Sequence, residues 1–301
     1  MFALVLTALS ASAVAFTPAA QPGSASPLRI ASNRGALRLL TVASSSTVSS
    51  RTGASETAFD VLSEVNVLSA ATGQPLPLTQ AWKAKKGKKT VVAFLTHFAD
   101  FNAWEYAQKL RHYLPAIDDA GAEVIAVGLG TVAAAKEFAS LTNFPLQRLY
   151  VDETGRAYEE LGFSKGFQPP VKVNPYLKLL PMLAGIGSPG TIQAVLRGYV
   201  GDRDADASWV ESTLQLVEKR RFDVLGTQGA RPFEVATVRL QNMREIVTRW
   251  DDLSPPNKEL ITWQGGTLIF DGKEVVYQYN DRGILTYTPV DEVLREVGAK
   301  P

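Results

Sequence analysis

The residues best placed for chemistry in this sequence are His97 and Asp100, which follow an apolar run at Thr90 to Leu95. A segment with helical spacing of apolar residues comes next, so Asp100 is expected at a helix N-terminus. A carboxylate there can cap the helix and stabilise the fold by about 0.5–2 kcal/mol. It can instead serve as an acid, a base or a nucleophile if a partner of shifted pKa lies within reach. We expect Asp100 to be a cap and His97 to be structural.

A second chemical feature is the absence of cysteine from all 301 residues. Thiolate attack and disulfide exchange both need sulfur, so neither a CxxC nor a peroxidatic mechanism can operate. Two histidines without cysteine do not form an ordinary structural zinc site, and no clustered carboxylates indicate another metal site. We therefore expect no metal and no cofactor. The formal net charge of +1 indicates no basic field for nucleic acid.

The N-terminus carries two patterns typical of targeting segments. Residues 1–15 are apolar, uncharged and too short to cross a bilayer, and they predict a signal peptide. Residues 16–55 contain four arginines and no acidic residue, which predicts a disordered transit peptide. The junction around Phe16 resembles the bipartite presequence of algae with complex plastids. That resemblance implies a plastid protein, whereas the alternative is a secretory signal followed by a disordered linker.

Apolar patterning predicts the elements that must position Asp100. The order is strand, helix, strand, helix, strand, followed by a hairpin and a closing helix, which favours a parallel set of strands with helices on both faces. This predicts an α/β thioredoxin-like fold with a central mixed sheet. The expected elements are a strand pair within Val61–Trp82, strands at Thr90–Leu95, Glu123–Gly128 and Leu146–Val151, helices at Ala103–Ile117 and Val132–Leu141, a hairpin of Thr267–Phe270 with Glu274–Tyr279, and a terminal helix at Val290–Val297.

Four stretches of the chain resemble the AhpC/TSA peroxiredoxin-like family, which includes chloroplast thioredoxin-like proteins and is similar to prostamide/prostaglandin F synthase. In that family the residues after Phe98 typically read Gly-Cys-Pro-Phe-Cys, so Asp100 and Ala103 occupy the positions of the two cysteines. The resemblance implies a redox fold that has lost its redox residues. The stretches are Leu95–Leu110, Val124–Gly130, Leu149–Asp152 with Tyr158–Phe163, and Gly265–Phe270.

The minimal fold does not need the long segment from about Ser164 to Trp263. We therefore divide the chain into a signal peptide (1–15), a transit peptide (16–55), the first part of the thioredoxin-like core (56–163), an inserted and mainly helical segment (164–263), and the closing hairpin and helix (264–301). The inserted segment contains an apolar stripe at helical spacing, which predicts a buried face. The stripe comprises Phe233, Ala236, Leu240, Met243, Val247 and Trp250.

The inserted segment also contains an apolar run from Pro175 to Ala184, which is too short to span a bilayer. It can cover the sheet edge as a lid, or present an apolar patch to a partner or a membrane surface. Lys178 is expected at the rim of such a patch. The candidate binding residues are Tyr176, Leu179, Leu180, Met182 and Leu183.

Taken together, these features favour a redox-inactive plastid pseudoenzyme that acts as a binding, assembly or structural component. We expect a protein partner in the plastid, with the thylakoid surface as a second candidate. No nucleic-acid partner and no transmembrane segment in the mature chain are expected. The alternative is an enzyme of the same family with non-thiol chemistry on peroxide or lipid substrates.

Overall fold

A computed structural model describes residues 57–194, 208–217 and 231–300 of the chain. Side chains are described there except at residues 215–217 and 231–236. The described residues all fall within one compact unit. Both predicted targeting segments lie outside the described residues, and the proposed boundaries at 164 and 263 stay predictions.

The described residues contain a seven-stranded mixed sheet in the order β2-β1-β5-β4-β3-β6-β7. β3, β4 and β5 run parallel, while β1 and β6 pair antiparallel with their neighbours. The α/β thioredoxin-like expectation is therefore confirmed. The strands are β1 (Asn66–Ser69), β2 (Pro75–Pro77), β3 (Lys89–His97), β4 (Glu123–Leu129), β5 (Leu149–Asp152), β6 (Gly266–Asp271) and β7 (Glu274–Asn280).

Helices cover both faces of this sheet. Along β3, Val91 and Leu95 pack on one side, and Val92 and Phe94 on the other, because successive side chains alternate. The described helices are α1 (Ala58–Ser63), α2 (Phe101–Asp119), α3 (Val132–Thr142), α4 (Arg156–Glu160), α5 (Pro175–Leu183), α6 (Ser208–Val217), α7 (Arg231–Thr248), α8 (Trp250–Leu253) and α9 (Val290–Val297).

Local signals explain where several elements begin. Thr131 caps α3 by accepting a hydrogen bond from the N–H of Ala134 at 3.1 Å, as its residue type predicts. The strand expected from Leu146 begins instead at Leu149, because Leu146–Arg148 form a 3-10 helix. Arg148 there makes a two-pronged contact with Asp118 at 2.8 and 2.9 Å. That contact ties the turn to the end of α2.

The orientation of α7 differs from the expectation. Leu240, predicted to be buried, is 61% exposed, whereas Val238 and Ile246 are buried. Asn242 is also buried, and its side-chain amide exchanges hydrogen bonds with that of Gln108 at 2.9 and 3.0 Å. The prediction of a buried stripe through Leu240 was therefore wrong, since polar pairing with α2 selects the inward face. The side chains of Phe233 and Ala236 are not among those that the structure describes.

Candidate functional site

Asp100 caps α2 at the point where the chain leaves β3. Its backbone is extended, and its carboxylate accepts a hydrogen bond from the N–H of Asn102 at 3.2 Å. Its own N–H donates to the carbonyl of His97 at 2.9 Å. The side chain of Asn102 donates to the carbonyls of Gly283 and Thr286 at 3.3 and 3.0 Å. The start of α2 is thus attached to the loop that follows β7.

Ala103, at the second expected cysteine position, is sealed in the core. It is 1% exposed and packs among apolar residues that include Ala99 and Trp104. The indole N–H of Trp104 donates to the carbonyl of Phe98 at 2.7 Å, which fixes the turn before the helix. Neither position therefore offers a soft nucleophile, and Asp100 is the more accessible of the two.

The structure adds a residue that the sequence reasoning missed, Asp281. It directly follows β7, is 6% exposed, and donates its backbone N–H to the carbonyl of Gly265 at 3.0 Å. Burial raises the pKa of its carboxyl well above the usual range, and the nearby charge of Asp100 raises it further. Among the described residues its Oδ1 has no hydrogen-bond partner.

Strand register explains why Asp281 lies beside Asp100. Phe94 in β3 is opposite Gly266 in β6, which is opposite Asn280 in β7. Because β3 and β7 both run antiparallel to β6, their carboxyl ends meet at one edge of the sheet. The approach is close: a Cβ added to Gly265 would lie 2.0 Å from the carbonyl oxygen of Phe94. Only glycine fits at that position.

His97 is buried below the same turn. Burial lowers the pKa of its imidazole, although the charge of Asp100 opposes this shift. Its ring meets Trp250 edge to face, with centroids 5.8 Å apart. Among the described residues its Nδ1 has no hydrogen-bond partner. Its burial and its contact with Trp250 are consistent with the structural role expected for His97, which stays a prediction.

Chemically, this edge of the sheet brings together two carboxyl groups in different environments. A buried carboxyl with a raised pKa can hold a proton, while a carboxyl at a helix N-terminus accepts backbone hydrogen bonds. Such a pair can perform proton transfer but not thiol exchange. Among the described residues, no group of three or more His, Asp or Glu is placed to hold a metal ion.

The apolar run of the inserted segment forms α5, and only part of it faces outward. Leu180 is exposed, Tyr176, Leu179 and Leu183 are half-buried, and Met182 is fully buried. Met182 was predicted to bind a partner, but its thioether packs on Gly166. A Cβ built on Gly166 would lie 2.8 Å from the sulfur of Met182. A buried thioether cannot contact a partner, so its inclusion was wrong.

Lys178 was also misplaced by the sequence reasoning. Rather than lying at a rim, it is 6% exposed and donates to Glu259 at 2.5 Å and to Gln168 at 3.4 Å. The ion pair holds the lysine against the 3-10 helix Lys258–Thr262. Leu177, absent from the predicted set, is exposed instead. No helix within the described ranges is both long and apolar enough to cross a membrane.

Comparisons with known proteins agree with this architecture. The sequence model of a family described as AhpC/TSA antioxidant enzyme matches residues 109–283, a span that includes Asp281 and α5. A protein of Arabidopsis thaliana named thioredoxin-like protein AAED1, chloroplastic, is 32% identical over 125 residues. The alignment covers 40% of this chain and 48% of that protein. The chain thus spans about half the length of this relative.

Proposed function

This chain belongs to the AhpC/TSA antioxidant enzyme family, and we propose that it is a plastid protein that acts by binding a protein partner. It is a thioredoxin-like family member without cysteine. Because Asp100 is engaged as a helix cap and Ala103 is buried, selection for thiol chemistry does not account for the chain. The chloroplastic relative and the acid-free region at residues 16–55 support a plastid location.

The observation that carries the proposal is the outward stripe of α7. Leu240 is 61% exposed, Val247 is 40% exposed, and Met243 between them is half-buried. Residues spaced by three and four share one helix face, so these side chains form a continuous apolar ridge. A helix that lays such a ridge into a partner's groove is a recurrent mode of protein recognition.

The inward face of α7 supports this reading, because it is already occupied. Val238 and Ile246 are buried, and Arg239 donates to Glu105 on α2 at 2.8 and 3.2 Å. The helix is therefore anchored through one face and leaves Leu240 and Val247 exposed on the other. A standard interface of ~800 Å² per partner is within the size of the inserted segment.

The test is affinity purification of the tagged chain from chloroplast extract, with quantitative mass spectrometry. We expect a partner in near-stoichiometric amount that is lost when Leu240 and Val247 are both changed to serine. The matched control is Val276→Ser on β7, where the native side chain is 45% exposed. An identical partner set from the double variant would remove α7 as the docking site. Absence of any partner would contradict the binding role.

A second candidate, an enzyme with non-thiol chemistry on peroxide or lipid substrates, is favoured by Asp281. A buried carboxyl with a raised pKa beside a second carboxyl is the arrangement of a proton donor. Saturable turnover that is abolished by Asp281→Asn and reduced by Asp100→Ala would support this candidate. Turnover unaffected by both substitutions would exclude these residues from catalysis.

A further inference from the structure

The loop that joins β7 to α9, which we call the 281–288 loop, is bonded to the sheet, to α2 and to the inserted segment. The side-chain amide of Asn102 in α2 donates to the carbonyls of Gly283 and Thr286, at 3.3 and 3.0 Å. On the side of the sheet, Asp281 donates its N–H to the carbonyl of the residue before β6, at 3.0 Å. These bonds hold the loop against the core.

The inserted segment contacts this loop through two buried hydroxyl groups. The N–H of Ile284 donates to the hydroxyls of Ser188 and Thr191, each at 3.0 Å, and both of these residues are fully buried. The fit is tight, because a Cβ added to Gly283 would lie 2.6 Å from each hydroxyl oxygen. The N–H of Gly190 donates to a carbonyl of the loop at 2.9 Å. Movement of the loop would break these bonds and release the segment around Ser188.

One residue of the loop is held in a strained backbone conformation. Leu285 has a φ of 61°, in the left-handed region that large side chains rarely adopt. Such strain persists only where the surrounding structure imposes it, and it is frequent in segments that switch between conformations. Its neighbours supply the constraint, because Ile284 is bonded to the inserted segment and Thr286 to α2. Loss of those bonds would let the backbone of Leu285 relax.

The first residue of the loop, Asp281, carries a carboxyl group that is buried close to a second one. Its side chain is 6% exposed, and its Oδ1 has no hydrogen-bond partner among the described residues. The charge that acts on it within the described ranges is that of Asp100, which has the same sign. A neutral carboxylic acid fits this environment, whereas a carboxylate would be a buried charge without a counter-ion.

The other titratable groups around Asp281 keep their charge state between pH 6.5 and pH 8.5. Tyr106 in α2 and Tyr158 in α4 both lie within the influence of Asp281, and burial raises the pKa of each phenol, so both stay neutral. Burial lowers the pKa of His97 at the end of β3, so its imidazole is neutral as well. Arg282, the next residue of the loop, is exposed to solvent. Among the described groups near the loop, Asp281 is therefore the one that can lose a proton in this range.

We propose that the 281–288 loop is a proton-controlled latch on the inserted segment. When the O–H bond of the Asp281 carboxyl breaks and its proton passes to water, the carboxylate that remains is repelled by Asp100, and the loop leaves α2 and the segment around Ser188. With the proton bound, the strained loop stays closed. Because opening is coupled to the loss of one proton, each added pH unit favours the open state by up to about tenfold. The inference does not rest on the proposed docking role of α7.

Hydrogen exchange of the full chain between pH 6.5 and pH 8.5, read by mass spectrometry, tests the latch. Each rate is divided by the intrinsic exchange rate at the same pH, so that only the protection due to structure is compared. We expect protection of peptides that cover residues 282–288 and 184–194 to fall by up to about tenfold per pH unit, while peptides of β4 keep theirs. Constant protection of the loop would overturn the proposal. An equal fall in β4 would also overturn it, because the whole protein would then be unfolding.

Two variants assign the effect to the carboxyl pair. Asp281→Asn has no proton to lose, so its loop should be equally protected at every pH, whereas the control Asp271→Asn, which changes a carboxyl outside the loop, should keep the fall of the unaltered chain. If Asp281→Asn does not fold, Asp100→Asn decides, because it removes the opposing charge, keeps the helix cap and should reduce the total fall in protection. An undiminished fall in either variant would overturn the latch. Exchange does not report capture of a protein by α7, so the two proposals fail separately.

Discussion

Arg239 and Glu105 form the ion pair that anchors α7 to α2, with Nε of Arg239 2.8 Å from Oε2 of Glu105. The hydroxyl of Tyr287 donates to the same carboxylate at 2.5 Å, and the Lys109 ammonium lies 3.7 Å away. Burial alone would raise the pKa of Glu105, but these charges and hydrogen bonds outweigh it, and the pKa is lowered. The pair explains why α7 turns a polar face inward.

Glu105→Gln should lower the free energy of unfolding by about 3 kcal/mol, since it leaves the positive charges of Arg239 and Lys109 without their buried counter-ion. Urea unfolding at pH 7 measures this loss. The control is Glu274→Gln, because Glu274 pairs with Lys86 at the exposed surface and should contribute less than about 1 kcal/mol. Equal losses in both variants would contradict the importance of the buried pair.

The same carboxylate predicts a pH dependence of stability. A group whose folded pKa is depressed stabilises the protein above its unfolded pKa, about 4.3, and loses that contribution as pH falls through its folded pKa. The difference in unfolding free energy between the protein and Glu105→Gln should therefore be largest at neutral pH and shrink in acid. A constant difference from pH 7 to pH 3 would show that the ionised carboxylate is not its source.

Asp281 should give a pH dependence of stability opposite in direction to that of Glu105. Because the pKa of the Asp281 carboxyl is raised in the folded state, the neutral carboxyl is buried without cost below the unfolded-state pKa of about 3.9. The protein loses stability as the pH rises from there through the folded-state pKa, because the carboxyl must then either stay protonated or carry a buried charge. Asp281→Asn should therefore leave stability unchanged near pH 3.5 and raise the melting temperature at pH 8. Melting curves at both pH values test this expectation, with Asp271→Asn as the control. A variant less stable at pH 8 would show that the charged carboxylate is needed.

The two faces of α7 should respond differently to truncation. Ile246→Ala removes a buried side chain and should cost about 2–4 kcal/mol, whereas Leu240→Ala should change stability by less than about 1 kcal/mol. Chemical denaturation of the two variants compares them directly. A large loss in Leu240→Ala would mean that the outward ridge is packed within the protein in solution.

Removal of the cap on α2 should lower stability, and neither the variants nor the unaltered chain should show redox activity. Asp100→Ala removes the acceptor for the N–H of Asn102 and should cost about 0.5–2 kcal/mol, whereas Asp100→Asn should retain most of the stability. Neither variant, nor the unaltered chain, should consume peroxide with thioredoxin or glutathione supplied. Peroxide consumption by the purified chain would contradict the loss of redox function.

Much of the core could be predicted from the sequence, because its elements are specified by short-range patterns. The cap at Thr131, the hairpin of β6 and β7, and the terminal helix Val290–Val297 all occur where those patterns place them. The absence of cysteine is likewise a property of the sequence alone, and it decides the chemistry at positions 100 and 103.

Only the tertiary structure decided which helix faces point inward and which carboxyls meet. The sequence shows an apolar run in α5 and a periodic apolar stripe on α7, but the inward faces are set by long-range pairs. Glu259 pairs with Lys178 and Glu105 pairs with Arg239, across 81 and 134 residues of sequence. Such pairs form between elements that are distant along the chain, so local sequence patterns cannot predict them. Asp281 reaches Asp100 for a related reason. Strand order brings the ends of β3 and β7 to one edge, and no spacing within the sequence encodes that order.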